Sequence, residues 1–96
     1  MANVNKKQMN LKVEFPKDDS RVHYSNIALI THMPEEFILN FAQIMPGKQT
    51  ADVIAQMVMS PRNAKNLMNS LAANIKKYEE QFGEIQMQNM PQTNIE

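Results

Sequence analysis

Apolar and polar positions follow two different periods along the chain. Leu11, Val13 and Phe15 alternate with Lys12 and Glu14, the period-two pattern of a short half-buried strand. Pro16 ends that run, and Lys17-Asp18-Asp19-Ser20 reads as a turn. Residues 22–32, VHYSNIALITH, are rich in β-branched and aromatic residues and predict a second strand. Tyr24, Asn26, Ala28, Ile30 and His32 share one of its faces, and Ser25, Ile27, Leu29 and Thr31 the other. Both faces are partly apolar. Met33-Pro34-Glu35 then turns the chain, with proline supplying a preset φ.

Residues 36–44, EFILNFAQI, fit both periods. Phe37, Leu39 and Phe41 alternate as in a strand, whereas Phe37, Ile38, Phe41, Ala42, Ile44 and Met45 also match helical spacing. The Phe and Ile content, and the tight turn from a preceding strand, favour a strand. A helix over 34–45 is the alternative. Pro46 and Gly47 suit the two central positions of a type II turn. A strand over 52–59 follows, with Val53, Ala55, Met57 and Met59 on one face and Ile54, Gln56 and Val58 on the other.

From Ser60 the period changes to 3.6. Ser60 is placed to accept a backbone N–H as N-cap, and Pro61 suits the first helical position. Gly83 stands just past the last apolar residue, where a left-handed cap is wanted. Ala64, Leu67, Met68, Leu71, Ile75, Tyr78 and Phe82 form a stripe roughly 100° wide, and Asn66, Asn69, Ser70, Ala73, Lys76, Lys77 and Glu80 lie opposite. Such a helix is about 33 Å long at 1.5 Å per residue, enough to cover a small sheet. The pattern predicts an α+β fold: an antiparallel meander of three to four strands, then one long C-terminal amphipathic helix packed on the sheet. Residues 11–85 form the expected domain, flanked by polar, Asn/Gln-rich tails at 1–10 and 86–96.

A domain of about 75 residues is marginal as a single core. The chain has no cysteine, so neither disulfides nor a thiolate zinc site can staple it. Oligomerisation is the remaining common remedy, and one helix covers only one face of a sheet. The expected state is therefore a homodimer, with an unidentified protein as a further partner. Tyr24, Phe37, Met57 and Met59 are the candidate interface residues. Nine methionines is a high count. Met57, Met59 and Met68 fall where sheet should meet helix, and core packing is their expected use.

Ten basic and ten acidic residues cancel, which argues against a strong sequence-independent grip on nucleic acid or anionic lipid. The first 24 residues are mildly basic, with Lys6, Lys7, Lys12, Lys17 and Arg21 against Glu14, Asp18 and Asp19. With Arg62 and Lys65 at the helix start, this leaves a nucleic-acid-associated regulator as the alternative function. No signal peptide pattern or long apolar run is present, so a cytoplasmic protein with no membrane contact is expected.

No catalytic set emerges. His23 and His32 are nine residues apart, which points them to opposite faces of one strand and away from a shared metal. His23 and Ser25 share a strand face but start roughly 7 Å apart, and no orienting acid or oxyanion hole accompanies them. Glu35-Glu36 and Glu79-Glu80 are adjacent pairs aimed in different directions. Gly47 and Gly83 are the only glycines, so there is no phosphate-binding loop. The expectation is a non-enzymatic interaction or assembly domain without metal or cofactor.

Several local groups coincide with a known pattern: Tyr24-Ser25-Asn26, His32 with Pro34, Glu36-Phe37, Phe41, Met45-Pro46-Gly47, Met59-Ser60-Pro61, Ala64-Lys65 and Tyr78-Glu79-Glu80-Gln81-Phe82-Gly83. In order and at close spacing from about residue 22 to 85, they resemble the bacterial and archaeal domain-of-unknown-function family 3467. The resemblance implies no agreed activity, cofactor or catalytic residue. Met33 departs from it, standing where similar proteins often have Ser before the proline. A Ser-Pro-x-Glu capping box there would favour the helical alternative at 34–45.

Overall fold

A computed structural model describes residues 10–88. Three strands and one helix follow in order: β1 (Ile27–Met33), β2 (Glu36–Ile44), β3 (Ala51–Met59) and α1 (Pro61–Phe82). The strands form one antiparallel sheet in the order β1-β2-β3, a meander with β2 at its centre. The α+β class and the long terminal helix are as the sequence pattern predicts.

The run at 36–44 is a strand. The turn at Pro34-Glu35 brings it straight back along β1, pairing Met33 with Glu36 and Ile27 with Ala42. Every backbone group of a central strand can then be paired, which a short helix in this position would forgo. The second connection forms as its Pro-Gly pair requires. Lys48 N–H donates to Met45 O at 3.1 Å, and Gly47 has φ 82°, a conformation that side chains disfavour. Pairing between β2 and β3 slips at Phe41/Ala42, where Ala55 faces Phe41 and Val53 faces Ala42. Ile54 is the extra residue of this bulge.

Two strand expectations are overturned. Leu11, Val13 and Phe15 form no strand; the segment is irregular and all three side chains are exposed. Alternation alone does not make a strand without a neighbour to complete its ladder. The strand expected over 22–32 begins only at Ile27, because the residues before it pair with β2 largely through side chains. Ser25 Oγ shares its proton between Ile27 O and Ala42 O, at 3.0 and 2.9 Å. Asn26 bonds Ile44 twice, and Gln43 Nε2 donates to Tyr24 O at 3.3 Å. Among the described residues the sheet therefore has three strands. Of the expected tails, 1–9 and 89–96 lie outside the described residues.

Helix α1 is bounded as its sequence dictates. Ser60 Oγ accepts the Asn63 N–H at 3.2 Å, Pro61 opens the helix, and Gly83 (φ 99°) donates to Glu79 O at 2.9 Å. It lies against the sheet as expected, but loosely. The helix touches β2, yet none of its residues is buried, and only Ala64 and Glu79 are even half-buried. Among the described residues only Ile27, Leu39 and Ala42 are buried. Met57 and Met68, expected between sheet and helix, are both more than half exposed. The apolar stripe of the helix stays largely open.

Candidate functional site

Residues opposed across antiparallel strands share a face, so the register sorts the sheet into two surfaces. One carries Ala28, Ile30 and His32 from β1, Phe37, Leu39 and Phe41 from β2, and Ala55, Met57 and Met59 from β3. The other carries Ile27, Leu29 and Thr31, then Ile38, Asn40 and Ala42, then Val53, Gln56 and Val58.

The two faces differ in their centres. On the second, Asn40 Nδ2 donates to Leu29 O at 3.3 Å and Gln56 Nε2 donates to Asn40 Oδ1 at 2.7 Å, a polar ladder across all three strands. The first face has no such ladder. Its one polar side chain, His32, stacks its ring on Phe37 with centroids 5.5 Å apart. Leu39 at its middle is 5% exposed, while its cross-strand neighbours Ile30 and Met57 remain 59% and 51% exposed. Each of these half-covered side chains retains about 1 kcal/mol of burial free energy not realised within the chain.

Helix α1 continues the same theme. Met68, Leu71, Tyr78 and Phe82 are all more than half exposed, and Leu67 and Ile75 nearly as open. Most helix stability in proteins comes from packing an apolar face, and no residue of this helix is buried. Asn63, Asn66, Asn69 and Asn74 lower its intrinsic propensity further. No acidic residue lies in its first turn and no basic residue in its last.

Of the four expected interface residues, Phe37, Met57 and Met59 are brought together on the apolar face. Tyr24 is not; it lies exposed in the irregular segment before β1. Ile30 and Leu39 belong to the same patch and were not singled out from sequence. Their place follows from register across β1, β2 and β3, which alternation within one strand does not reveal.

The catalytic and metal arrangements weighed from sequence do not assemble. His23 precedes β1 and only His32 is on a strand, so the two do not share one continuous strand as expected. Ser25 and His23 likewise have no common strand face, and the Ser25 hydroxyl is engaged by two carbonyls. Among the described residues, no group of three His, Asp or Glu side chains could hold a metal ion. No helix among them is long and apolar enough to cross a membrane.

A family model described as Protein of unknown function (DUF3467) matches residues 1–87. The chain belongs to this family. No curated protein and no solved structure matches it significantly. The groups that carry the DUF3467 resemblance coincide largely with the joints of the fold. Ser25-Asn26 ties the start of β1 to the end of β2, Pro46-Gly47 makes the β2–β3 turn, and Ser60-Pro61 and Gly83 bound α1. Met33, the departure from the pattern, sits at the end of β1, and Pro34 after it belongs to a hairpin turn.

Proposed function

We propose that this DUF3467 chain is a small non-enzymatic assembly domain that works as a homodimer and offers a composite apolar surface to a protein partner. One observation carries the reading: of the apolar side chains on three strands and a 22-residue helix, only Ile27, Leu39 and Ala42 are buried in the protomer. Exposed apolar patches of this extent mark association surfaces. A second copy is the partner always at hand, and pairing equal surfaces closes the assembly at two. Phe37, Met57 and Met59 form the sheet part of the contact.

Charge reversal on that face tests the reading. Met57→Glu places a carboxylate beside Leu39 without touching a backbone bond. Light scattering across a dilution series is expected to show its dimer dissociating at concentrations where the natural sequence stays paired. If Met57→Glu and Phe37→Asp both leave the native mass unchanged, the sheet face is not the contact. Excess absorbance at 260 nm that survives physiological salt would replace this reading with nucleic-acid association through Arg62 and Lys65.

A further inference from the structure

Along α1, Ala64, Met68, Leu71, Ile75, Tyr78 and Phe82 follow at spacings of four, three, four, three and four. That is the heptad seam of a two-helix coiled coil, with Met68, Ile75 and Phe82 at a and Ala64, Leu71 and Tyr78 at d. From the exposure of this seam and the charges beside it, we infer that α1 pairs antiparallel with α1 of a second copy. The inference rests on the homodimer reading and deepens it by naming the contact.

Side-chain volumes decide the direction. In an antiparallel pair a positions meet d positions, so Leu71 faces Ile75, Met68 faces Tyr78 and Ala64 faces Phe82 of the second copy. Small meets large at both ends, and a thioether meets an aromatic ring in the layers between. A parallel pair would set Phe82 on Phe82 at one end and Ala64 on Ala64 at the other, leaving crowding and a void. Tyr78 and Phe82, with ring centroids 4.9 Å apart, make one compact aromatic end for the Ala64–Met68 end to receive.

The charges point the same way. Arg62 and Lys65 stand near the N-terminus of α1 and Glu79 and Glu80 in its last turn, the reverse of what the macrodipole of a lone helix favours. Antiparallel pairing brings each basic end beside the acidic end of the second copy. Lys65 and Glu79 both occupy e positions, which flank the seam on the same side in this arrangement; Glu79 Oε2 accepts the Ile85 N–H at 2.9 Å, and its carboxylate charge is what each of two symmetric Lys65–Glu79 pairs would use. A parallel pair would set e against g, where Leu67, Asn74 and Gln81 carry no charge. The axis passes near Ala72, also at e.

Two sets of full-length variants test the pairing. In the first, Lys65→Glu and Glu79→Lys are each expected to weaken the dimer about tenfold, and the double reversal to restore it within about twofold; the rescue decides, because Glu79→Lys by itself also loses the bond from Ile85 N–H. Lys65→Glu also removes a charge opposed to the helix dipole. A purely local role for Lys65 would therefore leave the dimer unchanged and raise helicity by circular dichroism. In the second set, the absence of native cysteine lets Ala72→Cys report orientation. Mild copper-phenanthroline oxidation is expected to cross-link most of that variant as a dimer, and Ala73→Cys, on the outer face, only weakly. Single reversals without effect, or equal cross-linking at 72 and 73, would overturn the helix pairing. If the reversals do nothing while Met57→Glu yields monomer, the homodimer reading stands and this contact alone fails.

Discussion

Asn26 and Ile44 hold each other from both sides. Asn26 Nδ2 donates to Ile44 O at 3.0 Å, and the Ile44 N–H donates to Asn26 Oδ1 at 2.8 Å. One side chain thus does for the end of β2 what a further residue of strand would do, while Asn26 N–H reaches Ala42 O at 3.1 Å. Asn26→Ala removes both side-chain bonds. A loss of about 1–2 kcal/mol in urea unfolding is expected, with faster amide exchange at Ile44 than at Leu39. Asn26→Asp keeps the acceptor and sets an oxygen against Ile44 O, so it is expected to be no better than alanine. Unchanged exchange at Ile44 in both variants would mean that the clasp does not hold the strand end.

Gly47 offers a case where backbone and packing separate. A Cβ there would meet nothing within 4 Å, yet φ is 82°. Gly47→Ala is therefore expected to cost about 1 kcal/mol from conformation alone, without changing the native mass. Gly47→Asn, which tolerates this region better, is expected to recover part of the loss. Equal stability of all three would show that the turn can relax to negative φ.

Asp18 gives a local pH dependence. Ser20 Oγ donates to its Oδ1 at 2.8 Å and the Ser20 N–H at 3.1 Å, and these bonds, the hydroxyl first, hold the carboxyl below its ordinary pKa. A depressed value means that the charged form is favoured in the folded turn. The support it lends is complete above the ordinary carboxylate range and fades as pH falls through the lowered value. The Ser20 amide resonance is expected to titrate at that low pH, and to lose this dependence in Asp18→Asn.

Gln56 tests the polar ladder of the second face. Removing its amide with Gln56→Leu leaves Asn40 Oδ1 without its 2.7 Å donor in a half-buried position. A destabilisation of about 1 kcal/mol is expected, and Asn40→Leu combined with it should recover much of that loss, since an apolar pair needs no partners. Additive losses in the double variant would show that the two side chains are not coupled.

Much of this fold is written in local signals. Ser60-Pro61 and Gly83 bound α1, Pro46-Gly47 makes its turn, and period-two alternation places β2 and β3, because each of these depends on residues within a few positions. Leu11, Val13 and Phe15 show the limit of that logic, since their alternation is real but no strand lies beside them. Tyr24 lies outside β1 for a related reason: the ladder before Ile27 is made largely by Ser25 and Asn26 side chains, which a count of alternating positions does not register. The apolar stripe of α1 was legible, but how little of it the sheet covers was not. Amphipathicity marks the face that favours burial and is silent on how much of it the fold covers.

The most direct test of the dimer is the native mass of the full chain, by size-exclusion chromatography with light scattering and paired absorbance at 260 and 280 nm. The chain has two tyrosines and no tryptophan, so even a trace of nucleic acid would dominate that ratio. The expected result is a clean particle of about 22 kDa, twice the 11.0 kDa chain. A monomer at micromolar concentration, with α1 still helical by circular dichroism, would contradict the account. The exposed helix and sheet would then be stable without the second copy on which it depends.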